Sequence, residues 1–323
     1  MKKISIIVPV KEINDYVREA VPYHMDLDYP DFELIIFPDE VSEVDLSDPL
    51  FQDKRIKIIP SGKTGPAQKR DMAMKYATGD IFAFTDDDAY PRRDWLRNAA
   101  NILEREDIGA VGGPAVTEPN DPILMQGSGR VLESFMCSGV YTYRYLPGAA
   151  REDDDIPSVN LIVKRDVFES VGGFDSNYYP GEDTKLCMDI VNTGKKLLYD
   201  PDVLVYHHRR KLFKGHIKQI TNYAKHRGFF VKALPQTSLR AHYFIPTAFD
   251  IGLFGGLIVC PFIPVLWYIY ITVLVLYLVL CSYSLRKCNG IGIFMLSLAG
   301  IIATHVSYGV FFIKGLLSKE LER

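Results

Sequence analysis

The sequence predicts an α/β domain with a Rossmann-like, mostly parallel sheet, followed by an amphipathic helix and C-terminal transmembrane helices. Three observations carry this expectation. Short apolar runs alternate with helical patterns through residues 1–240. One of those runs, Ile81-Phe82-Ala83-Phe84-Thr85, ends directly on Asp86-Asp87-Asp88. Charges then nearly vanish from Tyr243 to about Leu317, leaving Asp250, Arg286, Lys287 and Lys314. We therefore expect one domain over residues 1–235 and a membrane domain of about three helices over residues 236–323.

The elements follow in order. Ile4–Val10 reads as a continuous apolar strand, and Asn14 as the cap of a helix through about Pro22. Lys2-Lys3 before it resembles a signal-peptide start, but Pro9, Lys11 and Glu12 end the apolar stretch too soon. Phe32–Phe37 and Ile56–Ile59 are the next strands. Pro66 stands at a first-turn position of a helix to about Tyr76. After the strand Ile81–Thr85 come a helix over Asp94–Glu104 and a strand over Ile108–Gly112. Pro157–Val163 is strand-like, Arg165–Val171 a short helix, and Gly172-Gly173-Phe174-Asp175 a break. Gly181-Glu182-Asp183 opens a helix through about Asn192, and Tyr199–Tyr206 is a short strand region. Lys211–Phe230 is a basic amphipathic helix, with Phe213, Ile217, Ile220 and Ala224 near one face.

The apolar stretch Tyr243–Leu285 is about twice the ~20 residues a spanning helix needs. Cys260-Pro261-Phe262-Ile263-Pro264 divides it into about Pro246–Val259 and Pro264–Leu285, which are two full spans or a re-entrant pair. A third helix runs over about Ile291–Ile313. Arg240 and Arg286-Lys287 fall on one side, which the positive-inside rule makes cytoplasmic, together with the α/β domain. Asp250 is either a functional intramembrane carboxylate or an interfacial one.

Carboxylates carry the chemistry. Three of them at the end of a buried strand cannot stay unpaired in a core. The crevice outside the carboxyl ends of strands is where open α/β sheets bind ligands. Hard oxygen ligands there suit Mg²⁺ or Mn²⁺, which complete their shells with substrate phosphates. The competing reading is a solvated acidic turn. Glu182 and Asp183, at a helix start, read as ordinary helix capping or, with the resemblance given below, as a general base (Asp183) and a catalytic partner shaping the acceptor pocket (Glu182). The helix dipole is expected to lower the Asp183 pKa. His207-His208-Arg209-Arg210-Lys211 offers His207 as a metal ligand and arginines for a diphosphate, or else a basic cluster for anionic lipid. Gly127-Ser128-Gly129 lacks the third glycine and leading strand of a dinucleotide loop. Asp153-Asp154-Asp155 reads as a mobile acidic loop.

In this order the motifs resemble the family 2 glycosyltransferases, inverting enzymes of the GT-A fold. Ile6-Ile7-Val8-Pro9-Val10-Lys11-Glu12 is similar to that family's first strand and turn. Lys63–Asp71, with Gly65-Pro66-Ala67 and Arg70-Asp71, is similar to the segment before its metal motif. Asp86-Asp87-Asp88 matches the family's Asp-x-Asp, and Gly181-Glu182-Asp183 its Glu-Asp motif. The resemblance covers about residues 1–230. It implies donor contacts from Pro9, Val10, Glu12, Asp39, Lys63, Arg70, Asp86 and Arg227. It also implies a divalent cation, Mg²⁺ or Mn²⁺, on Asp88, Asp86 and His207, with Asp87 structural and tolerant of replacement. Pro38 takes the first of two usual acidic positions, with Asp39-Glu40 behind it, which leaves uracil or guanine open as the nucleobase. No Trp follows Arg227, so the Gln-x-x-Arg-Trp motif of processive synthases is absent and a single-addition enzyme is expected.

Composition narrows the partners. The 323 residues are 48% hydrophobic with a formal net charge of −3, and no basic stripe with interleaved aromatics points to nucleic acid. Cys137, Cys187, Cys260, Cys281 and Cys288 show no CxxC spacing, which excludes a zinc site or a disulfide framework. The expected reaction is metal-dependent sugar transfer from a nucleotide-diphosphate sugar to a membrane-presented, lipid-linked acceptor. The alternatives are a polyprenyl-phosphate sugar synthase and a non-catalytic membrane scaffold.

Overall fold

The computed structural model describes residues 1–176 and 178–321. It divides into two compact units, one of Met1–Val116 with Leu146–His208 and one of Thr117–Tyr145 with Arg209–Arg323. The strands are β1 (Ile4–Pro9), β2 (Phe32–Phe37), β3 (Ile56–Ile58), β4 (Ile81–Phe84), β5 (Ala89–Pro91), β6 (Ile108–Gly112), β7 (Ala115–Thr117), β8 (Arg151–Asp153), β9 (Leu161–Lys164), β10 (Lys196–Tyr199) and β11 (Val205–His207). The main sheet has the order β3-β2-β1-β4-β9-β6-β10-β8, and a small sheet the order β5-β11-β7.

β2, β1 and β4 are parallel neighbours, in register from Ile4↔Phe32 to Pro9↔Phe37 and from Ile4↔Ile81 to Ile7↔Phe84. Their carboxyl ends therefore open along one edge, which brings Val10, Asp39 and Asp86 to the same side of the sheet. β9 runs antiparallel between β4 and β6. Both faces of the sheet are covered. Ile4, Ile6, Leu34, Ile36 and Ile81 pack into one core with Trp95 and Leu96. Ile7, Ile35, Phe82 and Phe84 pack into the other with Phe168, Phe174 and Leu186. Burial on both faces is why the strands read as unbroken apolar runs and not as alternations.

Three local readings change. Pro157–Val163 is not one strand: Ser158–Asn160 form a 3₁₀ turn before β9. The Asn160 side chain accepts from the Trp95 indole at 2.8 Å and donates to the Val203 carbonyl at 2.7 Å, and those bonds turn the backbone out of the ladder. Asp153-Asp154-Asp155 is no free loop. β8 pairs antiparallel with β10 at the sheet edge, and Asp155 is buried. Gly127-Ser128-Gly129 lies inside a helix, Ile123–Glu133, which composition had hidden.

In the second unit the basic helix, Lys214–Ala233, packs along the long apolar helix Ile291–Leu317. Glycines set the distance. A Cβ on Gly228 would stand 2.2 Å from the Phe312 carbonyl oxygen, and one on Gly315 2.0 Å from that of Lys225. Small residues let helices approach this closely. Buried His216 joins three helices, with Nδ1 2.8 Å from Ser128 Oγ and Nε2 2.9 Å from Thr304 Oγ1. Burial first, then Arg209, pushes its pKa down to about 4, so the ring stays neutral. Among the described residues three helices are long and apolar enough to cross a membrane: Ala241–Val259, Leu266–Ser284 and Ile291–Leu317. Asp250 is buried in the first, where a Cβ on Gly309 would meet its Oδ2 at 2.1 Å.

Replacing Gly315 with Val should force the two helices apart at a cost of about 1–3 kcal/mol. Thermal unfolding of the full chain in detergent should show the loss. Gly252→Ala, whose Cβ would meet nothing within 4 Å, should leave the midpoint unchanged.

Candidate active site

Arg70 is the centre of the site. It sits on the helix Pro66–Asp71, whose start is set by Pro66 after Gly65. Its side chain is 3% exposed. One nitrogen donates to Asp86 Oδ1 at 2.7 Å and another to Glu182 Oε1 at 3.0 Å. Burial opposes the charge, but the Asp86, Glu182 and Asp183 carboxylates outweigh it and raise the guanidinium pKa. The planar fork is what lets one side chain serve two carboxylates. Phe174 lies against it, 5.4 Å from ring centroid to guanidinium carbon. That ring is held by Asp71, which accepts from the Phe174 and Asp175 amides at 2.7 and 3.1 Å. Gly173 in this turn has φ +78° and leaves no room for a Cβ beside Asp71. The Arg70-Asp71 pair thus fixes both the carboxylates and the Gly172–Asp175 turn.

Asp183 follows Glu182 in the first turn of the helix Glu182–Asn192. It accepts from the Thr184 amide at 2.8 Å and the Ser158 amide at 3.3 Å. The dipole was expected to lower its pKa, and the opposite holds. Burial, then the neighbouring Glu182 and Asp155 carboxylates, outweigh those hydrogen bonds and push Asp183 up to about 7. Asp155 itself is fixed by the Thr184 hydroxyl at 2.9 Å. A carboxyl that titrates near neutrality suits a general base.

The aspartate triplet divides. Asp86 faces Arg70. Asp87 Oδ2 accepts from Asn14 Nδ2 at 2.6 Å, while Asn14 Oδ1 caps the first helix at the Val17 amide, 3.0 Å away. Asp88 is buried, its Oδ1 3.2 Å from His207 Nε2 and its carbonyl bound by the His208 amide at 2.9 Å. β11 pairs antiparallel with β5, with His207 opposite Ala89, and that pairing brings the histidine to the triplet. Cis donors on an octahedral ion at about 2.1 Å stand about 3 Å apart, so the Asp88–His207 pair fits one divalent cation. Among the described residues no three His, Cys, Asp or Glu side chains form a complete cage. Two protein ligands with the rest from water and phosphate oxygens are what such a site needs.

Of the other expected donor contacts, Pro9 and Val10 are buried at the end of β1, and Asp39 follows β2. Lys69, which sequence reasoning passed over, bonds both the Val10 carbonyl and Asp39 Oδ1. Glu12 and Lys63 are exposed on the turns beyond β1 and β3. Arg227 belongs to the second unit, where it meets Ser238 Oγ at 3.3 Å and the Tyr243 ring at 4.7 Å. Arg209, also in that unit, bonds Thr117 Oγ1 and lies over Tyr145. The basic run is thus split, with His207 and His208 in the first unit.

Removing Arg70 strands two carboxylates. Arg70→Met should cost about 3–5 kcal/mol in denaturant unfolding of the full chain. Adding Glu182→Gln to that variant should recover part of the loss.

The stretch that carries Arg70 and the aspartate triplet also places the chain among known proteins. A family model described as glycosyl transferase family 2 matches residues 5–172, just over half of the chain. The pre-mycofactocin glycosyltransferase of Mycobacterium tuberculosis is 31% identical over 46% of this chain, a match that spans only 31% of that relative. A dolichyl N-acetyl-alpha-D-glucosaminyl phosphate 3-beta-D-2,3-diacetamido-2,3-dideoxy-beta-D-glucuronosyltransferase of Methanococcus voltae is 24% identical over 72% of this chain and 75% of its own length. In fold the chain is similar to the mannosyltransferase PcManGT from Pyrobaculum calidifontis, solved in complex with GDP-Man and Mn²⁺. That likeness has a TM-score of 0.59 at 19% identity and covers 99% of this chain and 88% of that one. The chain belongs to glycosyl transferase family 2, in its GT-A fold.

Proposed function

We propose that this protein is an inverting, metal-dependent glycosyltransferase. It moves a sugar from a nucleotide-diphosphate donor to a lipid-linked acceptor at the cytoplasmic membrane. Residues 1–235 carry the transfer, facing the cytoplasm, and residues 236–323 anchor it. The observation that carries this reading is Arg70, which ties donor-side Asp86 to Glu182, the neighbour of Asp183. A scaffold without activity has no use for a buried carboxylate held near neutrality.

The acceptor hydroxyl oxygen bonds to the anomeric carbon, the bond from that carbon to the diphosphate breaks, and the hydroxyl proton passes to Asp183. Asp88 and His207, with Asp86 behind them, would hold a Mg²⁺ or Mn²⁺ that neutralises charge on the departing diphosphate. PcManGT, with the same fold, is a mannosyltransferase solved with Mn²⁺, which supports that role. Val10, Asp39 and Lys69 form the nucleoside end of the donor cleft. The Methanococcus voltae relative is named for a dolichyl N-acetyl-alpha-D-glucosaminyl phosphate, which supports a lipid-linked acceptor.

A panel of nucleotide sugars tested on the full chain, with and without Mn²⁺, should identify one donor whose turnover stops on chelation. Transfer should rise with pH through about 7, as Asp183 loses its proton, and level off above. Asp183→Asn should keep donor affinity and lose about 10²–10⁴-fold in rate, together with that pH limb. A full-rate Asp183→Asn variant would point instead to a phosphate nucleophile, which has no proton to give up.

A further inference from the structure

The second unit carries a cationic cluster that the transfer chemistry does not use. Between Asp202 and Asp250 the sequence has no Asp or Glu and nine Lys or Arg residues, and between Glu133 and Glu152 it again has no acid. Arginines from both stretches gather on two tyrosines. The Arg144 guanidinium lies 4.4 Å from the Tyr141 ring centroid, and that of Arg227 4.7 Å from Tyr243. The two rings are stacked, 6.2 Å apart and 9° from parallel. Arg240 donates to the Tyr141 hydroxyl at 3.0 Å, and the Tyr243 hydroxyl donates to the same oxygen at 3.2 Å. His242 packs edge-on to Tyr141 at 5.4 Å, and its Nε2 is buried with no hydrogen-bond partner among the described residues.

Three guanidinium groups thus gather around one pair of rings. Arg240 directly precedes Ala241–Val259, an apolar helix able to cross a membrane, so the cluster adjoins the end of a candidate span. The arginines are also held in place, by Ser238 Oγ on Arg227 and the Gln236 carbonyl on Arg240. Guanidinium forks on fixed supports match the several oxygens of a phosphate. A zwitterionic headgroup would cancel its own charge here.

We propose that Arg144, Arg227, Arg240 and His242 bind the phosphate or diphosphate group of the lipid acceptor. The resemblance had implied a donor contact for Arg227, and this assignment replaces it. The identity of the occupant as the acceptor rests on the functional reading above. Binding of a polyprenyl phosphate does not.

The test uses the full chain in phosphatidylcholine nanodiscs, with a long-chain polyprenyl phosphate as probe and lipid retention read by native mass spectrometry. Wild type should retain polyprenyl phosphate at least tenfold better than polyprenol. Arg144→Gln and Arg240→Gln should each lose that preference about tenfold, with nucleotide-sugar affinity unchanged. Lys214→Gln and Lys218→Gln, on exposed positions of the basic helix, should keep it. Equal retention of polyprenol overturns the proposal. So does equal competition by phosphatidylglycerol, which would mark a general anionic surface, or loss of nucleotide-sugar affinity in the arginine variants, which would mark a donor site. Should the glutamine variants not fold, Arg240→Lys keeps the charge without the fork. A severalfold weaker retention supports the site, and full retention overturns it. Retention without transfer from any nucleotide sugar would sink the functional reading and leave this site standing.

Discussion

Arg70 is a buried positive charge with two carboxylates on it, and the catalytic unit is arranged around that constraint. A guanidinium out of water is tolerated only where its hydrogen bonds are met in fixed directions. Asp86 meets one from the carboxyl end of β4, and Glu182 another from the start of a helix almost a hundred residues later. The parallel register of β2, β1 and β4 puts the first on the sheet edge. The Gly172–Asp175 turn, clamped by Asp71, brings the chain round to the second.

Asp183 inherits its chemistry from the same arrangement. Burial holds the Asp183 proton further up the pH scale, and the Glu182 and Asp155 carboxylates add to the effect. A site with more carboxylates than it can neutralise is a means of making a base. Asp88 lies on the other branch of the triplet, paired with His207, so the proposed metal and base roles fall on separate side chains.

Much of this was legible in the sequence. Strands buried on both faces leave largely apolar runs, so Phe32–Phe37, interrupted only by Glu33, and Ile108–Gly112 fall where expected. Asp86 and Asp88 were visible because charge beside an apolar strand is unusual, whereas Glu182 and Arg70 stood out only through the family resemblance, since acids are ordinary in the first turn of a helix. What stayed hidden depends on tertiary partners. Nothing local says that Lys69 spans Val10 and Asp39, or that Asn160 turns toward Trp95. The Asp183 pKa was misjudged because the dipole is local while burial and Asp155 are not. Arg151-Glu152-Asp153 could have been read as a charged edge strand, since edges are protected that way. The helix Ile123–Glu133 had no signal, because its glycines serve close packing: a Cβ on Gly129 would meet Thr117 Oγ1 at 2.3 Å.

The central claim is that Asp86 and Glu182 act through one guanidinium, and a double-mutant cycle reads that coupling directly. Asp86→Asn, Glu182→Gln and the double variant would be compared in the rate of sugar transfer from the donor the chain accepts. Two carboxylates on a shared partner should be coupled by at least ~0.5–1 kcal/mol, with the double variant losing clearly less or more than the product of the single losses. Strict additivity of the two effects would contradict the account.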